Sequence, residues 1–517
     1  MTYLIFTVET WILLVTFFCL FVLYGSWTHG VFEKMGIPGP RPVLYMGTLT
    51  KTTSKVYFLA DQECALQYGR VWGIYEMRQP MLAVMDPDML RTILVKDCFT
   101  NFTNHRNLGL LGDLRNAMSL SEDDKWRRLR NIITPAYTSG QVKEMFKLMK
   151  YHSSKMVKSL KERAQRSEVI TVKDVFGSYS IDVMGSCILS VDMDVTNNPP
   201  EELMRHASNL FNIPIPLFML IGFFPFIIPV LDWLGVAFFS RSSFAFFKNI
   251  VEKIRQDRNN NSRKNHADLL QYLTCIQSSN KLKGETYEQV LSDHELLCQL
   301  VMFVVGGYDT SASALTFVAY NLAQNPHIMS RLQEEIDATF PNNAPVEYEA
   351  LMQMEYLDCV FNENLRLYPS IARTDRVAKE TVTIKGITIP KNMVVMVPFY
   401  ALHRDPELWP EPEEFKPERF SKENKEKIHP YSYMPFGVGP RNCVGMRFAQ
   451  AAVKLALVDV LRHYSFCVCE ETEIPLEMSP TGLMGPVRPI RLRIQLRSDK
   501  EMTTYSKCTS TSNFSNL

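Results

Sequence analysis

The sequence predicts a mainly α-helical protein with a small β component and an N-terminal membrane anchor. Three observations predict it. Residues Tyr3 to Tyr24 form an almost unbroken apolar run, and most of the remainder carries apolar residues at helical spacing. Strand-like runs are short and confined to 71–84 and 381–397, where Val382 to Ile389 reads as a small hairpin around Gly386. Strand and helix do not alternate as a parallel sheet requires, and no internal repeat is present.

The chain has 517 residues, 46% hydrophobic and 21% charged, which suits a large folded core rather than a disordered chain. A formal net charge of +1 supplies no global field to recruit nucleic acid, so any basic patch is local. The 11 cysteines show no CxxC pair and no disulfide-like spacing. That pattern reads as a reducing compartment with mostly free thiols, leaving room for one cysteine with a special role.

Glu9 is the only charge before Glu33, and both the cationic start and the small-residue cleavage site of a signal peptide are missing. The expectation is an uncleaved anchor over 1–28, a domain over 29–497 and a polar Ser/Thr-rich tail over 498–517. Lys34 and Arg41 follow the apolar run, so the positive-inside rule places the domain on the cytoplasmic side. Sequons at Asn101, Asn260 and Asn513 are then expected to stay unmodified.

Residues 37–42 read Ile-Pro-Gly-Pro-Arg-Pro, either a stiff connector that orients the domain or an ordinary linker. Ten of the 31 Phe lie between Phe211 and Phe247, and Pro216, Pro225 and Pro229 argue against a regular second span there. Two readings stand for this segment. It is core, or it dips into the lipid interface and lines an entry for greasy ligands.

The most informative helix starts at the capping box Ser292-Asp293-His294-Glu295 and stops at Asn325-Pro326. At the standard rise it is roughly 48 Å long. Its middle carries Gly306-Gly307-Tyr308-Asp309-Thr310, and each glycine costs about 1 kcal/mol relative to Ala. Close packing against a neighbouring helix explains the glycines alone. A distorted turn with a flat cofactor against it explains the adjacent Asp and Thr as well.

Phe436-Gly437-Val438-Gly439-Pro440-Arg441-Asn442-Cys443-Val444-Gly445 precedes a further amphipathic helical pattern. Its glycines allow a tight loop to aim N–H groups at the sulfur, and a helix N-terminus with a metal would hold that sulfur as thiolate. A thiolate opposite the open position of a haem iron favours O–O cleavage. Arg441 suits pairing with a haem propionate. No GxGxxG fingerprint and no phosphate loop are present, so nicotinamide and flavin are expected on another chain.

This loop resembles the FxxGxRxCxG signature of the cytochrome P-450 superfamily, matched at Phe436, Gly439, Arg441, Cys443 and Gly445. Glu363-Asn364-Leu365-Arg366, Pro417-Glu418-Arg419-Phe420 and the Gly306 to Thr310 stretch follow the family's pattern, with Gly306 for the commoner Ala and Asp309 for the commoner Glu. More closely the chain resembles the vertebrate family three, subfamily A microsomal monooxygenases, through Glu9-Thr10-Trp11, 36–40, 174–180 and 400–406. The resemblance implies a large helical domain with a smaller β-rich region, a haem b cofactor (iron protoporphyrin IX) and Cys443 as the axial thiolate.

It also implies that Thr310 and Asp309 handle dioxygen and protons. Gly306, Gly307, Phe436 and Gly439 would lie against the haem, while Trp126, Arg130, Arg441, Arg376 and His105 would face its propionates. Glu363, Arg366 and Arg419 would form a structural charge cluster. Ser119, Leu108, Val305, Ile371, Ala372, Arg373 and Leu483 would line the substrate pocket. His105, Leu108 and Val305 depart from the subfamily's usual residues, so its substrates do not transfer directly.

The implied activity is a monooxygenase of the endoplasmic reticulum membrane acting on steroids, drugs and other lipophilic molecules. Electrons would come from an NADPH–cytochrome reductase, with cytochrome b5 as a second donor. Lys125, Arg127, Arg128, Lys422 and Lys425 are expected either to form a basic surface for that acidic partner or to be a solvated face. The alternatives are a haem-thiolate isomerase or peroxide user, against which the Asp309-Thr310 pair argues, and a non-catalytic haem-binding membrane protein.

Overall fold

The computed structural model describes residues 7–48, 56–196, 201–210, 214–260, 268–282, 290–480 and 483–497. Tyr3 to Phe6 of the apolar run, Phe211, part of the Asn260 sequon, the Asn513 sequon and the tail from Ser498 lie outside them. Helix α1 (Val8–Ser26) is long and apolar enough to cross a membrane and is almost entirely exposed. Its far end is fastened: the Tyr24 hydroxyl donates to the Phe223 carbonyl at 3.2 Å, and the Arg78 guanidinium sits 3.5 Å over the Tyr24 ring. The proline-rich connector lies against the sheet, where Gly73 N–H donates to the Pro38 carbonyl at 2.9 Å.

Strands from both predicted regions, with one over Thr374–Val377 outside them, form a four-stranded sheet in the order β1-β2-β7-β4. β1 (Val71–Glu76) and β2 (Gln79–Val84) pair antiparallel with Val71 opposite Val84. β7 (Val394–Val397) joins β2 in parallel, so the helical body between them acts as the crossover, and β4 (Thr374–Val377) closes the sheet. β5 (Val382–Ile384) and β6 (Ile387–Ile389) form the expected hairpin, with Lys385 and Gly386 both at positive φ as a two-residue turn requires. A third sheet, β3 (Val169–Thr171), β9 (Arg491–Leu496) and β8 (Tyr464–Cys467), has no counterpart in the sequence reading.

The helical body contains α2 (Tyr57–Tyr68), α3 (Asp123–Ile133), α4 (Ser139–Gln165), α5 (Val172–Leu189), α6 (Glu201–Asn209), α7 (Ile215–Phe223), α8 (Ile228–Trp233), α9 (Arg241–Asn260), α10 (Asp293–Gln324), α11 (Glu355–Leu367) and α12 (Met446–His463). One large core joins α3, α4, α5, α10, α11 and α12, and a second packs the four-stranded sheet. The capping box of α10 forms as predicted, with Ser292 and Glu295 each satisfying the other's backbone N–H. The distorted turn does not form. α10 is continuous through Gly306 and Gly307.

The Phe-rich segment divides between its two readings. Phe238, Phe244 and Phe247 are buried, whereas α7 and the 225–233 stretch, bent by 105°, expose Phe226, Val230 and Trp233. These exposed side chains lie beside the end of α1, where Tyr24 meets the rings of Phe224 and Phe226 at 6.3 Å. Glu122 occupies the cap position of α3, and the Ser121 hydroxyl donates to the Ala117 carbonyl.

Candidate active site

The cysteine loop is built from its own backbone. Cys443 N–H donates to the Phe436 carbonyl at 2.8 Å, and Asn442 N–H to Gly439 at 3.1 Å, while Gly437 and Gly439 take positive φ. Gly439 has a second constraint, since a Cβ there would lie 2.0 Å from the Leu94 carbonyl oxygen. Gly439→Ala is therefore expected to displace the loop. Left-handed strain of about 1–2 kcal/mol adds to a clash with immovable backbone, and cofactor content measured by absorbance should fall with the melting midpoint.

The sulfur sits one turn before α12. Gly445 N–H and Arg130 favour its anion, and burial, the larger effect, pushes the thiol up. Cys443 nevertheless keeps exposed surface, as a side chain on the wall of an interior cavity does. Arg130 of α3 clamps the loop by donating to the Asn442 carbonyl at 2.8 Å and its side-chain oxygen at 2.7 Å.

Beside the loop stands a group of cations without ordinary partners. Arg441 donates to the carbonyls of Thr103 and Ser121 at 2.8 and 2.7 Å and stacks 4.2 Å over the buried Trp126 ring. Burial, then Arg376, pushes Arg441 down to about 9, and burial lowers Arg376 and Arg130 as well. A guanidinium does not give up its proton in a protein, so the arrangement favours an anion brought in from outside. Among the described residues none of these three arginines has a carboxylate at ion-pair distance, and Arg376 Nε is buried without a partner. A dicarboxylate cofactor fits this donor set.

His105 enters the same cluster. Its Nδ1 donates to Asp375 at 2.9 Å, which leaves Nε2 as the acceptor facing Arg376 Nη1 at 3.5 Å. Burial lowers its pKa, so it is neutral at physiological pH. Asp375 was not a sequence expectation. A carboxylate following Thr374 on an unrecognised strand carries no motif.

On α10 the two glycines serve different neighbours. A Cβ on Gly306 would meet nothing within 4 Å, whereas one on Gly307 would lie 2.0 Å from Met184 of α5. Gly306 thus leaves an open backbone face, and Gly307 lets α5 approach closely. Thr310 Oγ1 donates back to the Gly306 carbonyl at 2.8 Å. Asp309 pairs with Lys173 of α5 at 2.7 Å on a partly exposed face.

Glu363 and Arg366 of α11 are both fully buried in a bidentate pair at 2.8 Å. Arg366 also donates to the carbonyls of His403, Pro412 and Glu414, and Arg419 reaches Glu363 at 3.3 Å.

Ala372 and Val305 are buried in the main core, Leu108 packs with Leu110, Ile221 and Phe238, and Ser119, Ile371 and Leu483 are exposed. The Arg373 guanidinium is locked to Asp61 of α2, with 2.5 Å from Nη2 to Oδ1. Of the five cations expected to form either a basic surface or a solvated face, Arg128 turns inward to Glu295 and the Val290 carbonyl, while Arg127 and Lys422 pair with Asp124 and Glu355 at exposed positions.

The sequence profile described as Cytochrome P450 matches residues 37–494. Among curated relatives, Cytochrome P450 3A56 of Fundulus heteroclitus is 51% identical over 500 residues, covering 96% of this chain and 100% of its own. Cytochrome P450 3A27 of Oncorhynchus mykiss is 51% identical over 502 residues, with 96% and 97% covered. Cytochrome P450 3A29 of Sus scrofa is 47% identical over 491 residues, with 95% and 97% covered.

Proposed function

The chain belongs to the cytochrome P450 family, and from that premise we propose a microsomal enzyme that oxidises steroids, drugs and other lipophilic molecules with electrons from an NADPH-fed reductase. Haem monooxygenase chemistry follows from the family itself. The observation that carries the finer reading is the Cys443 loop, its cations without carboxylate partners among the described residues, and an apolar face beside the anchor. Cytochrome b5 serves as a second electron donor.

Haem b, when bound, supplies an iron at which dioxygen is reduced so that one oxygen atom enters a C–H bond. Cys443 would hold that iron through its sulfur, whose charge Gly445 N–H and the start of α12 stabilise. Arg441, Arg376 and Arg130, with Trp126 beneath Arg441, would hold the propionates. The Glu363, Arg366 and Arg419 cluster fixes the chain segment leading into the loop.

Thr310 lies four residues after Gly306, and its hydroxyl, which donates to the Gly306 carbonyl, would turn from it to donate to a ligand at that open face. Asp309, tied to Lys173 at a half-exposed position, supplies a carboxylate that exchanges protons with solvent. Thr310→Val removes the hydroxyl and keeps the shape. Product formation should fall roughly 100-fold while NADPH and oxygen consumption continue.

The exposed apolar side chains of α7 and α8, fastened to the end of α1, would rest in the lipid interface with the domain on the cytosolic side of the endoplasmic reticulum. Turnover of a steroid probe by the full chain in vesicles tests the reading. Dependence on both reductase and NADPH is expected. Full activity on an organic peroxide without reductase would establish the peroxide-using alternative instead.

A further inference from the structure

A second cluster of ligating groups lies away from the cysteine loop, where α4, α5 and the loop after α5 converge. His152 of α4, Asp182 of α5 and Asp192 of the loop each bring one ligand atom to within 4.8 Å of the others. His152 and Asp182 are buried, and Asp192 reaches the surface.

Hydrogen-bond accounting fixes the state of the imidazole. The Ser186 hydroxyl gives its one proton to the Val191 carbonyl at 3.1 Å, so at 2.7 Å it must accept from His152 Nε2–H. Nδ1 then carries a lone pair, and it is buried with no partner.

Among the described residues Asp182 accepts from neutral donors, Val195 N–H at 2.9 Å, Thr196 N–H at 3.1 Å and the Thr196 hydroxyl at 2.7 Å. Lys155 is shared by Asp192 at 3.1 Å and Asp194 at 2.5 Å, and Tyr151 donates to Asp192 at 3.0 Å. The Asp182 and Asp192 carboxylates thus lie beside the buried imidazole.

We propose that His152, Asp182 and Asp192 form a binding site for one divalent transition-metal ion of the zinc type. A mixed imidazole and carboxylate set suits zinc over calcium or magnesium, which take oxygen ligands alone. The ion ties the 190–196 loop to α4 and α5.

The test uses the untagged, haem-loaded full chain, equilibrated with zinc chloride, desalted and assayed for bound zinc by elemental analysis. Wild type should retain about one more zinc per chain than Asp192→Asn or His152→Gln, each variant weakening binding at least about tenfold. Zinc should also raise the melting midpoint of wild type more than that of Asp192→Asn. Equal retention in all three proteins overturns the site. Should His152→Gln fail to fold, Asp192→Asn decides, because its side chain is 41% exposed and the change is isosteric.

Discussion

Cys443→Ser is expected to abolish the red-shifted Soret band of the reduced, carbon-monoxide-bound protein and to lower monooxygenase turnover by more than about 100-fold, or roughly 2.7 kcal/mol of barrier. A serine hydroxyl stays protonated where the cysteine sulfur ionises, so electron donation to the iron is lost. The loop itself survives, because its closing bond runs from the residue 443 N–H to the Phe436 carbonyl and needs no side chain. Unchanged far-ultraviolet dichroism should accompany the lost band. Retention of the band in the variant would remove Cys443 from the iron.

Arg366→Leu is expected to destabilise the protein by about 3–5 kcal/mol, read as a lower urea midpoint with loss of Soret absorbance over the same transition. The size follows from what is left behind. Glu363 would remain fully buried with only Arg419 and the Lys416 N–H near it, and three carbonyls would lose their donor. Replacing both partners by Leu and Met should cost less, because the uncompensated charge then disappears. A single variant as stable as wild type would show that the cluster is relaxed by water.

Local rules made much of the fold legible. The capping box and Asn325-Pro326 set both ends of α10, since caps and proline act within a few residues. The β5–β6 hairpin was readable from Gly386 for the same reason. The third sheet escaped because β3 has three residues and its partner strand lies far along the chain. The alternating Arg491-Leu492-Arg493-Ile494 was an available signal, with Leu492 and Ile494 buried.

The candidate site divides in the same way. The Cys443 loop was legible because backbone geometry confines glycine to Gly439. Side-chain partners were not. That Arg373 meets Asp61, Arg128 meets Glu295 and Asp309 meets Lys173 depends on which elements become neighbours in space. Gly307 shows the limit within one motif: it sits one position from Gly306, yet a rotation of about 100° turns it from the open face to Met184.

The bond from Tyr24 to Phe223 joins the anchor to the exposed aromatic helices. On the proposed seating, the mouth through which substrates arrive is immersed in lipid rather than opening to water. What the enzyme samples is then the bilayer concentration of each compound. One added methylene, at about 0.8 kcal/mol of transfer, enriches a compound there roughly fourfold. Ranking of substrates by partition coefficient would thus begin before any side chain of the pocket touches them.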